Sequence, residues 1–402
     1  MAGAASADPI DPALQGEVGP GYKNTPLQIL LYGHGDAQER ARIFILLCRQ
    51  AGIDAVMLGL KEGDSPEPRA WIPAVLVGGQ LYLFEPGLGL PIQGPEGEGI
   101  ATLDQVVAAP DLLRKLELPE LPRYSVTSKD LTTGNDGSLF ALIDCEPAAL
   151  SRRMQLLQAA LPAAKRLALA PPVKALRRKL EQSKSIRNKD GVDLWRAPFR
   201  AIFYQYGQQQ ALSRDQEAAR KFSILTALFA PERPLMKARN FHLQGIFENV
   251  DEKKGARALY MECRPPDREL DALESSEYFR SQVGLSQALP ADPAQRKAHL
   301  DHFITIAREG KFNATYWLGL TYYESGKFSI ATEWLGQRTV EAVPPSPWTA
   351  GARYNLARCY EQLGNVEVAR QWLESDKDSP QRPGNLLRAQ RLKVAPDASQ
   401  KK

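Results

Sequence analysis

The sequence predicts an α+β N-terminal part followed by an all-α C-terminal part built from helical repeats. Short aliphatic runs alternate with helical spacing as far as about residue 197, whereas helical spacing alone continues from about residue 198. A repeated pattern of apolar and small residues occupies the C-terminal hundred or so residues. At 402 residues the chain is also long for a single hydrophobic core.

Composition excludes several classes of protein. The 51 Lys and Arg residues against 47 Asp and Glu leave a net charge of +4, too balanced to indicate nucleic-acid or membrane binding. The four cysteines are scattered without a CxxC pair, so we expect no metal, no cofactor and no disulfide framework. No stretch approaches the roughly 20 apolar residues of a membrane helix. We expect a cytoplasmic protein as the sequence stands, and an exported or envelope-associated one if an N-terminal signal or anchor has been removed.

The N-terminal α+β pattern begins after a Pro- and Gly-containing leader at residues 1–24. A helix is predicted from Asp36, a suitable N-cap, to Gln50, with Gly52 at its end. Its apolar side is predicted to comprise Ala41, Phe44, Ile45, Leu47 and Cys48. Strands are predicted at 55–59, 72–77 and 80–84, the last two joined by a Gly78-Gly79 turn.

A second α+β segment is predicted from about residue 123 to residue 197. Its predicted strands lie at 138–144, 165–170 and 192–195, and its predicted helices at 149–161 and 173–182. Further helices are predicted at 199–210, 214–229, from about 235, and at 255–260.

Two C-terminal segments, Tyr316–Leu335 and Tyr354–Leu373, align with a period of 38 residues from Leu318 to Leu356. The alignment pairs Gly319 with Ala357, Tyr322 with Tyr360, Gly326 with Gly364, and Ala331 with Ala369. Small residues allow paired helices to approach closely, and the second glycine pair suits the turn between them. The period exceeds the usual roughly 34 residues, and the extra length is expected in the connector 343–347. Because two units are few for such an array, residues 299–310 are expected to supply a packing helix and residues 386–392 a cap.

These segments resemble the tetratricopeptide repeat, in which small, aromatic and glycine positions follow one another in this order. The resemblance implies a concave groove lined by the first helix of each unit, suited to a protein or peptide partner. The register places the following residues in the groove: Asn313, Tyr316, Leu320, Tyr323, Tyr354, Arg358, Glu361 and Gln362. The alternative is that the protein's own preceding helices fill the groove.

The segment Gly35–Ala55 resembles the nucleophile helix of the transglutaminase-like superfamily. This resemblance places Ala37 at the nucleophile position and Arg69, in Arg69-Ala-Trp71-Ile-Pro73, at the position of the histidine base. Glu85, in Phe84-Glu-Pro86, keeps a carboxylate where the orienting aspartate would stand. A methyl group cannot attack a carbonyl, and a guanidinium stays protonated near neutral pH. The resemblance therefore implies an inactivated enzyme domain without catalytic residues.

Short sequence segments throughout the chain resemble those of an uncharacterised bacterial family that combines such a degenerate domain with C-terminal repeats. They include the runs 44–50, 81–92, 99–103, 150–154 and 348–357. We expect a non-enzymatic scaffold or adaptor whose repeats bind a protein. The alternative is a ligand- or peptide-binding protein, or an enzyme of altered chemistry, that uses the cleft around Arg69, Trp71 and Glu85.

These observations predict six segments along the chain. They are a leader at 1–24, a degenerate transglutaminase-like domain at 25–122, a small α+β domain at 123–197, a helical connector at 198–290, tetratricopeptide-like repeats at 291–393 and a disordered tail at 394–402.

Overall fold

A computed structural model provides the structure of the protein. It describes residues 24–61, 63, 67–119, 123–132, 139–161, 167–182, 184, 186, 190–196, 198, 214–231, 233–282 and 289–394. The predicted helix at 199–210, nearly all of the predicted leader and nearly all of the predicted tail lie outside the described residues.

The chain divides into two compact units, residues 1–211 and residues 212–402. The first contains a mixed sheet and the second contains helices, so the α+β and all-α division is confirmed. The division lies beyond the predicted start of the all-α part at residue 198.

The N-terminal unit is built on one six-stranded sheet in the order β4-β3-β2-β1-β5-β6. Its strands are β1 (Ala55–Leu60), β2 (Arg69–Val77), β3 (Gln80–Glu85), β4 (Leu90–Pro91), β5 (Leu139–Ile143) and β6 (Val192–Leu194). All neighbours are antiparallel except β5 and β6. The helices among its described residues are α1 (Pro26–Tyr32), α2 (Ala37–Gln50), α3 (Leu103–Ala108), α4 (Ser128–Thr132), α5 (Arg152–Ala160) and α6 (Val173–Glu181), with 3-10 turns at Pro110–Leu116 and Pro147–Leu150.

The predicted boundary between residues 122 and 123 falls inside this sheet. Strand β5 pairs with β1 through registers such as Met57 with Leu142. Side chains from both sides of residue 122 also share one core, in which Val56, Leu83 and Ala141 are completely buried. Segments 25–122 and 123–197 therefore form one folded unit and not two successive domains.

Local sequence signals position helix α2 and the β2–β3 hairpin as predicted. Asp36 caps α2, accepting a hydrogen bond from the Glu39 amide while the Glu39 carboxylate accepts one from the Asp36 amide. Gly78 and Gly79 both have positive φ, 58° and 80°, which a β-carbon would oppose. Of the predicted apolar side of α2, Leu47 is wrong, because its side chain is 56% exposed.

The predicted strand at 165–170 is also wrong over its described part, 167–170, which is not in a strand. Side chains of α2 bind the polar backbone groups of this segment instead. Arg49 donates to the Leu169 carbonyl at 3.2 Å, and the Gln50 amide pairs with the Ala168 backbone at 2.9 and 3.1 Å. Side-chain partners thus satisfy these backbone groups outside the sheet.

The C-terminal unit is helical. Its described helices are α7 (Gln216–Leu228), α8 (Pro234–Leu243), α9 (Ala256–Glu262), α10 (Asp267–Asp271), α11 (Glu277–Gln282), α12 (Pro293–Glu324), α13 (Phe328–Leu335), α14 (Thr349–Gln362), α15 (Val366–Glu374) and α16 (Arg382–Val394). One π-helical turn, Gly336–Val340, follows α13. None of the helices in the described residues is both long and apolar enough to cross a membrane.

The two predicted repeats are the helical pairs α12–α13 and α14–α15. Gly326 and Gly364 occupy the turns with φ of 73° and 79°. A β-carbon on Gly319 would lie 2.8 Å from Leu335, so glycine allows α12 and α13 to approach closely. Ala357 and Ala369 are completely buried between α14 and α15, as the alignment predicts.

Two features of the array differ from the sequence-based expectation. Residues 299–310 do not form a separate packing helix, because they continue without a break into the first repeat within the 32-residue helix α12. The additional packing pair is α8–α9, which packs against α12. With α16 packed on α15, the array contains the three or so helical pairs that such structures need.

Two glycines of α12 test the close approach of α12 and α13. We expect Gly319→Ala to lower the free energy of unfolding by about 1–3 kcal/mol, because its β-carbon would displace Leu335. Gly310→Ala is the matched control: its β-carbon would meet Leu228 at an ordinary 3.4 Å. Since alanine favours a helix interior, Gly310→Ala should raise stability by up to about 1 kcal/mol. Chemical denaturation measures both; equal effects would contradict this packing.

Candidate functional site

Glu85, predicted to hold the orienting carboxylate, lies at the end of β3 and is 8% exposed. Its carboxylate accepts hydrogen bonds from the Tyr124 hydroxyl and, at 2.8 Å, from the Gly87 amide. The Tyr124 hydroxyl in turn accepts a bond of 2.9 Å from the Trp71 indole. Burial raises the pKa of Glu85, although these hydrogen bonds oppose the shift. Tyr124 therefore connects two of the predicted cleft residues through its hydroxyl.

Ala37 and Arg69 border the same region. A β-carbon built on Gly87 would lie 2.9 Å from Glu85 Oε1 and 3.8 Å from the Ala37 β-carbon, so the start of α2 lies close to the end of β3. Arg69 begins β2, and its positive charge acts on Tyr124, partly opposing the rise in the pKa of that phenol caused mainly by burial. Sequence reasoning missed Tyr124, which lies outside the motifs that pointed to the other residues.

A separate cleft of about 1300 Å³ lies at the C-terminal end of α2. Its walls come from α2, the start of β1, α5 and the start of α6, and its polar lining includes Arg49, Gln50, Gln158 and Lys174. Arg49 also binds the Leu169 carbonyl, and Gln158 accepts from the Leu169 amide at 2.7 Å. These residues therefore also stabilise the cleft wall. Arg69, Trp71 and Glu85 do not line this cleft.

In the first repeat, three predicted groove residues are inaccessible. Asn313, Tyr316 and Leu320 are only 7, 6 and 9% exposed. Tyr316 stacks on Trp348 with ring centroids 4.6 Å apart, and its hydroxyl accepts from Asn355 at 3.2 Å. The prediction that these three side chains face an open groove is wrong, because the protein's own residues cover them.

Helices α8 and α9 cover a neighbouring side of α12 through a buried polar cluster. The guanidinium of Arg239 lies 3.6 Å from the ring centroid of Trp317. Arg239 also donates to His242 Nδ1 at 3.1 Å, so the proton of the neutral imidazole is on Nε2, which donates to Glu324 at 3.1 Å. The Tyr260 hydroxyl lies 3.0 Å from the same Nδ1. Helices α8 and α9 therefore cover a side of α12 next to Tyr316, whereas the contacts of Tyr316 itself come from Trp348 and Asn355, so the alternative that preceding helices fill the groove stays a prediction.

The second repeat keeps an accessible inner surface. Tyr354, Arg358 and Glu361 of α14 are half-buried, as is Tyr323 on the adjoining first-repeat helix α12, and Gln362 is exposed. Arg388 of α16 joins them: its Nε and Nη2 donate to the two Glu361 oxygens, each at 2.7 Å. We call the surface formed by these six residues the second-repeat face. Sequence reasoning missed Arg388 because it treated the last helix only as a cap.

Within the second-repeat face, Glu361 lies between two guanidinium groups. Arg358 also donates to Glu361, and Glu361 and Tyr323 raise the pKa of its guanidinium although burial opposes the shift. Burial raises the pKa of Glu361, and the bond from Arg358 opposes this shift. The described residues contain no group of three or more His, Cys, Asp or Glu residues that could hold a metal ion. The side chains that this surface presents are mainly aromatic rings, guanidinium groups and one carboxylate.

The Tyr124 bridge yields a test of the N-terminal site. Tyr124→Phe removes the hydroxyl between Glu85 and Trp71, leaving a buried carboxylate and indole short of partners. We expect the free energy of unfolding to fall by about 1–3 kcal/mol. Tyr82→Phe is the control, because its hydroxyl makes only an exposed 3.4 Å contact with Gln80. Urea denaturation that finds no difference between the two variants would show that the bridge does not stabilise the fold.

The His242 cluster predicts how stability depends on pH. Burial lowers the pKa of His242, as do Arg239 and Arg257, while Glu324 opposes the shift. The folded state disfavours the protonated imidazole, so the contribution of His242 to the free energy of unfolding is fully present above about pH 6.5. It is lost as the pH decreases below that value, by at most about 1.4 kcal/mol per pH unit for one proton. Protonation of His242 would also place a hydrogen on Nδ1, so that two donors, this N–H and the Arg239 guanidinium, would face each other without an acceptor.

His242→Gln should therefore reduce the loss of stability between pH 7 and pH 5. The control is His299→Gln, at an exposed position of α12, which should keep the wild-type dependence. Thermal denaturation at several pH values measures the difference. An unchanged pH dependence in His242→Gln would assign the effect to other groups.

Comparison with known proteins identifies one match in the C-terminal unit. Residues 304–376 match the family model described as "Anaphase-promoting complex, cyclosome, subunit 3". Neither the curated proteins nor the solved structures contain a match. The match covers most of α12 and all of α13, α14 and α15, and it is of tetratricopeptide type. C-terminal tetratricopeptide repeats and a role in protein–protein interaction are therefore supported.

Proposed function

We propose that this protein is a non-enzymatic scaffold that binds a protein or peptide partner through the second-repeat face. The observation that carries the proposal is the difference between the two repeats. Tyr316 and Leu320 of the first repeat are buried, and Tyr316 stacks on Trp348. The corresponding residues of the second repeat, Tyr354 and Arg358, remain partly accessible. Tyrosine and arginine combine apolar area with hydrogen bonding and are enriched where protein interfaces gain most of their affinity.

The N-terminal unit, in this proposal, is an inactivated transglutaminase-like domain that serves as a structural part of the scaffold. Ala37 supplies only a methyl group, and Arg69 cannot act as a general base near neutral pH. Glu85 accepts from Tyr124 and Gly87, so its carboxylate already has partners within the fold. This arrangement supports a structural role for Glu85 over the orientation of a catalytic base.

The alternative is ligand binding in the cleft around Arg69, Trp71 and Glu85. It is less well supported because the Tyr124 hydroxyl connects Trp71 to Glu85 within that cleft. A ligand that used both groups would have to displace Tyr124 and satisfy a buried carboxylate itself.

Site-specific photo-crosslinking with the full chain tests the scaffold proposal. We would place p-benzoylphenylalanine at Gln362, on the second-repeat face, or at exposed Glu367 on the outer helix α15. After irradiation in cell lysate, a discrete adduct should form from position 362 and not from position 367. Tyr354→Ala in the same chain should reduce the adduct severalfold, because it removes aromatic contact area.

Adducts of equal yield from both positions would indicate non-specific capture and contradict the proposal. The same conclusion would follow from an adduct at position 362 that Tyr354→Ala leaves unchanged. Thermal denaturation of each variant is the control for folding, since Tyr354 also packs against the α14–α15 core.

A further inference from the structure

The second-repeat face carries an imbalance of charge. One carboxylate, Glu361, receives hydrogen bonds from two guanidinium groups, those of Arg358 and Arg388. One positive charge of the cluster is therefore not neutralised within it. The side chain of Glu361 is 11% exposed, whereas those of Arg358 and Arg388 are 24 and 20% exposed. The accessible part of the cluster thus belongs mainly to the two arginine side chains.

The geometry of the two arginines leaves donors for a further acceptor. Each guanidinium has five N–H donors in a planar fork. Glu361 takes the Nε and Nη2 donors of Arg388 on one edge, and it takes a donor from Nη1 of Arg358. A second carboxylate could bind the remaining edges in the same planar manner, which suits arginine better than lysine.

The same surface provides aromatic walls beside these donors. Tyr354 lies half-buried four residues before Arg358 on α14, so both side chains lie on one face of the helix. Tyr323 of α12 helps to raise the pKa of Arg358, and its ring lies against Phe328 with the centroids 5.6 Å apart. Hydrogen-bonded guanidinium groups beside tyrosine rings match a peptide with carboxylate side chains.

We propose that the second-repeat face binds an acidic peptide segment, with Arg358 and Arg388 receiving its carboxylates. Glu361 is the internal carboxylate that occupies both arginines and limits the affinity. This inference rests on the proposed function and adds the chemical class of the partner. Charge complementarity selects this class, because a basic segment would meet the unneutralised guanidinium charge.

Fluorescence anisotropy with the full chain and three labelled decapeptides tests the proposal. The peptides alternate alanine with glutamate, glutamine or lysine. Only the glutamate peptide should bind at low ionic strength, and added salt should weaken it because exposed charges are screened. Arg358→Gln and Arg388→Gln should each weaken binding at least about tenfold, and Glu361→Gln should strengthen it about tenfold.

Arg370→Gln is the matched control. Arg370 pairs with Glu367 and Glu374 on the outer helix α15, so its substitution changes the net charge equally without altering the second-repeat face. Thermal denaturation verifies that each variant is folded, and Arg388→Gln, on a different helix from Arg358, tests the site if Arg358→Gln is unstable.

Equal binding of the glutamine or lysine peptide would overturn the proposal, as would an equal loss of affinity in Arg370→Gln. If no peptide binds while the Gln362 adduct still forms and depends on Tyr354, the scaffold proposal stands and the acidic class is wrong. If neither binding nor the adduct is observed, both proposals fail. Weaker binding by Glu361→Gln would overturn the role of Glu361 as an internal competitor.

Discussion

An α-helical hairpin cannot bury its apolar face alone, and this constraint determines which surface of the C-terminal unit stays accessible. The first repeat buries itself against α8–α9 on one side and against α14 on the other. Arg239 lies over Trp317 on the first side, and Trp348 stacks on Tyr316 on the second. Both contacts desolvate large aromatic rings, which supplies much of the favourable free energy of packing. The packing of neighbouring helices on the first repeat therefore also buries side chains of that repeat that could otherwise bind a partner.

Local signals in the sequence predicted the elements that depend on them. A cap at Asp36, a Gly78-Gly79 turn and the small residues Gly319 and Ala357 each impose a conformation or a close approach that few residues allow. Register within a helix likewise indicated which face Tyr354 presents. The sequence did not reveal which helix would cover a given face, because such contacts join residues far apart in the chain. Tyr260 and Glu324, for example, meet only through His242.

The same limit explains the differences in the N-terminal unit. The pairing of β5 with β1 joins residues about eighty positions apart, and no local pattern distinguishes it from the start of a new domain. Tyr124 likewise donates to Glu85 from a segment outside the motifs that identified Glu85 in the sequence. The Glu85 carboxylate is only 8% exposed and therefore needs hydrogen-bond donors. The fold supplies them from the Tyr124 hydroxyl and the Gly87 backbone amide. The requirement was predictable, but the identity of the donor was not.

The ion cluster on the second-repeat face is better explained by recognition than by stability. Desolvation of charged groups offsets much of the attraction between them, so partly buried ion pairs contribute little net stability. Apolar packing would join these helices at lower electrostatic cost, and Ala357 of α14 and Ala389 of α16 already belong to one buried core cluster. Two arginines on one glutamate leave a charge that folding alone does not require. A surface that keeps such a charge partly accessible beside Tyr354 has the composition of a binding site for an oppositely charged partner.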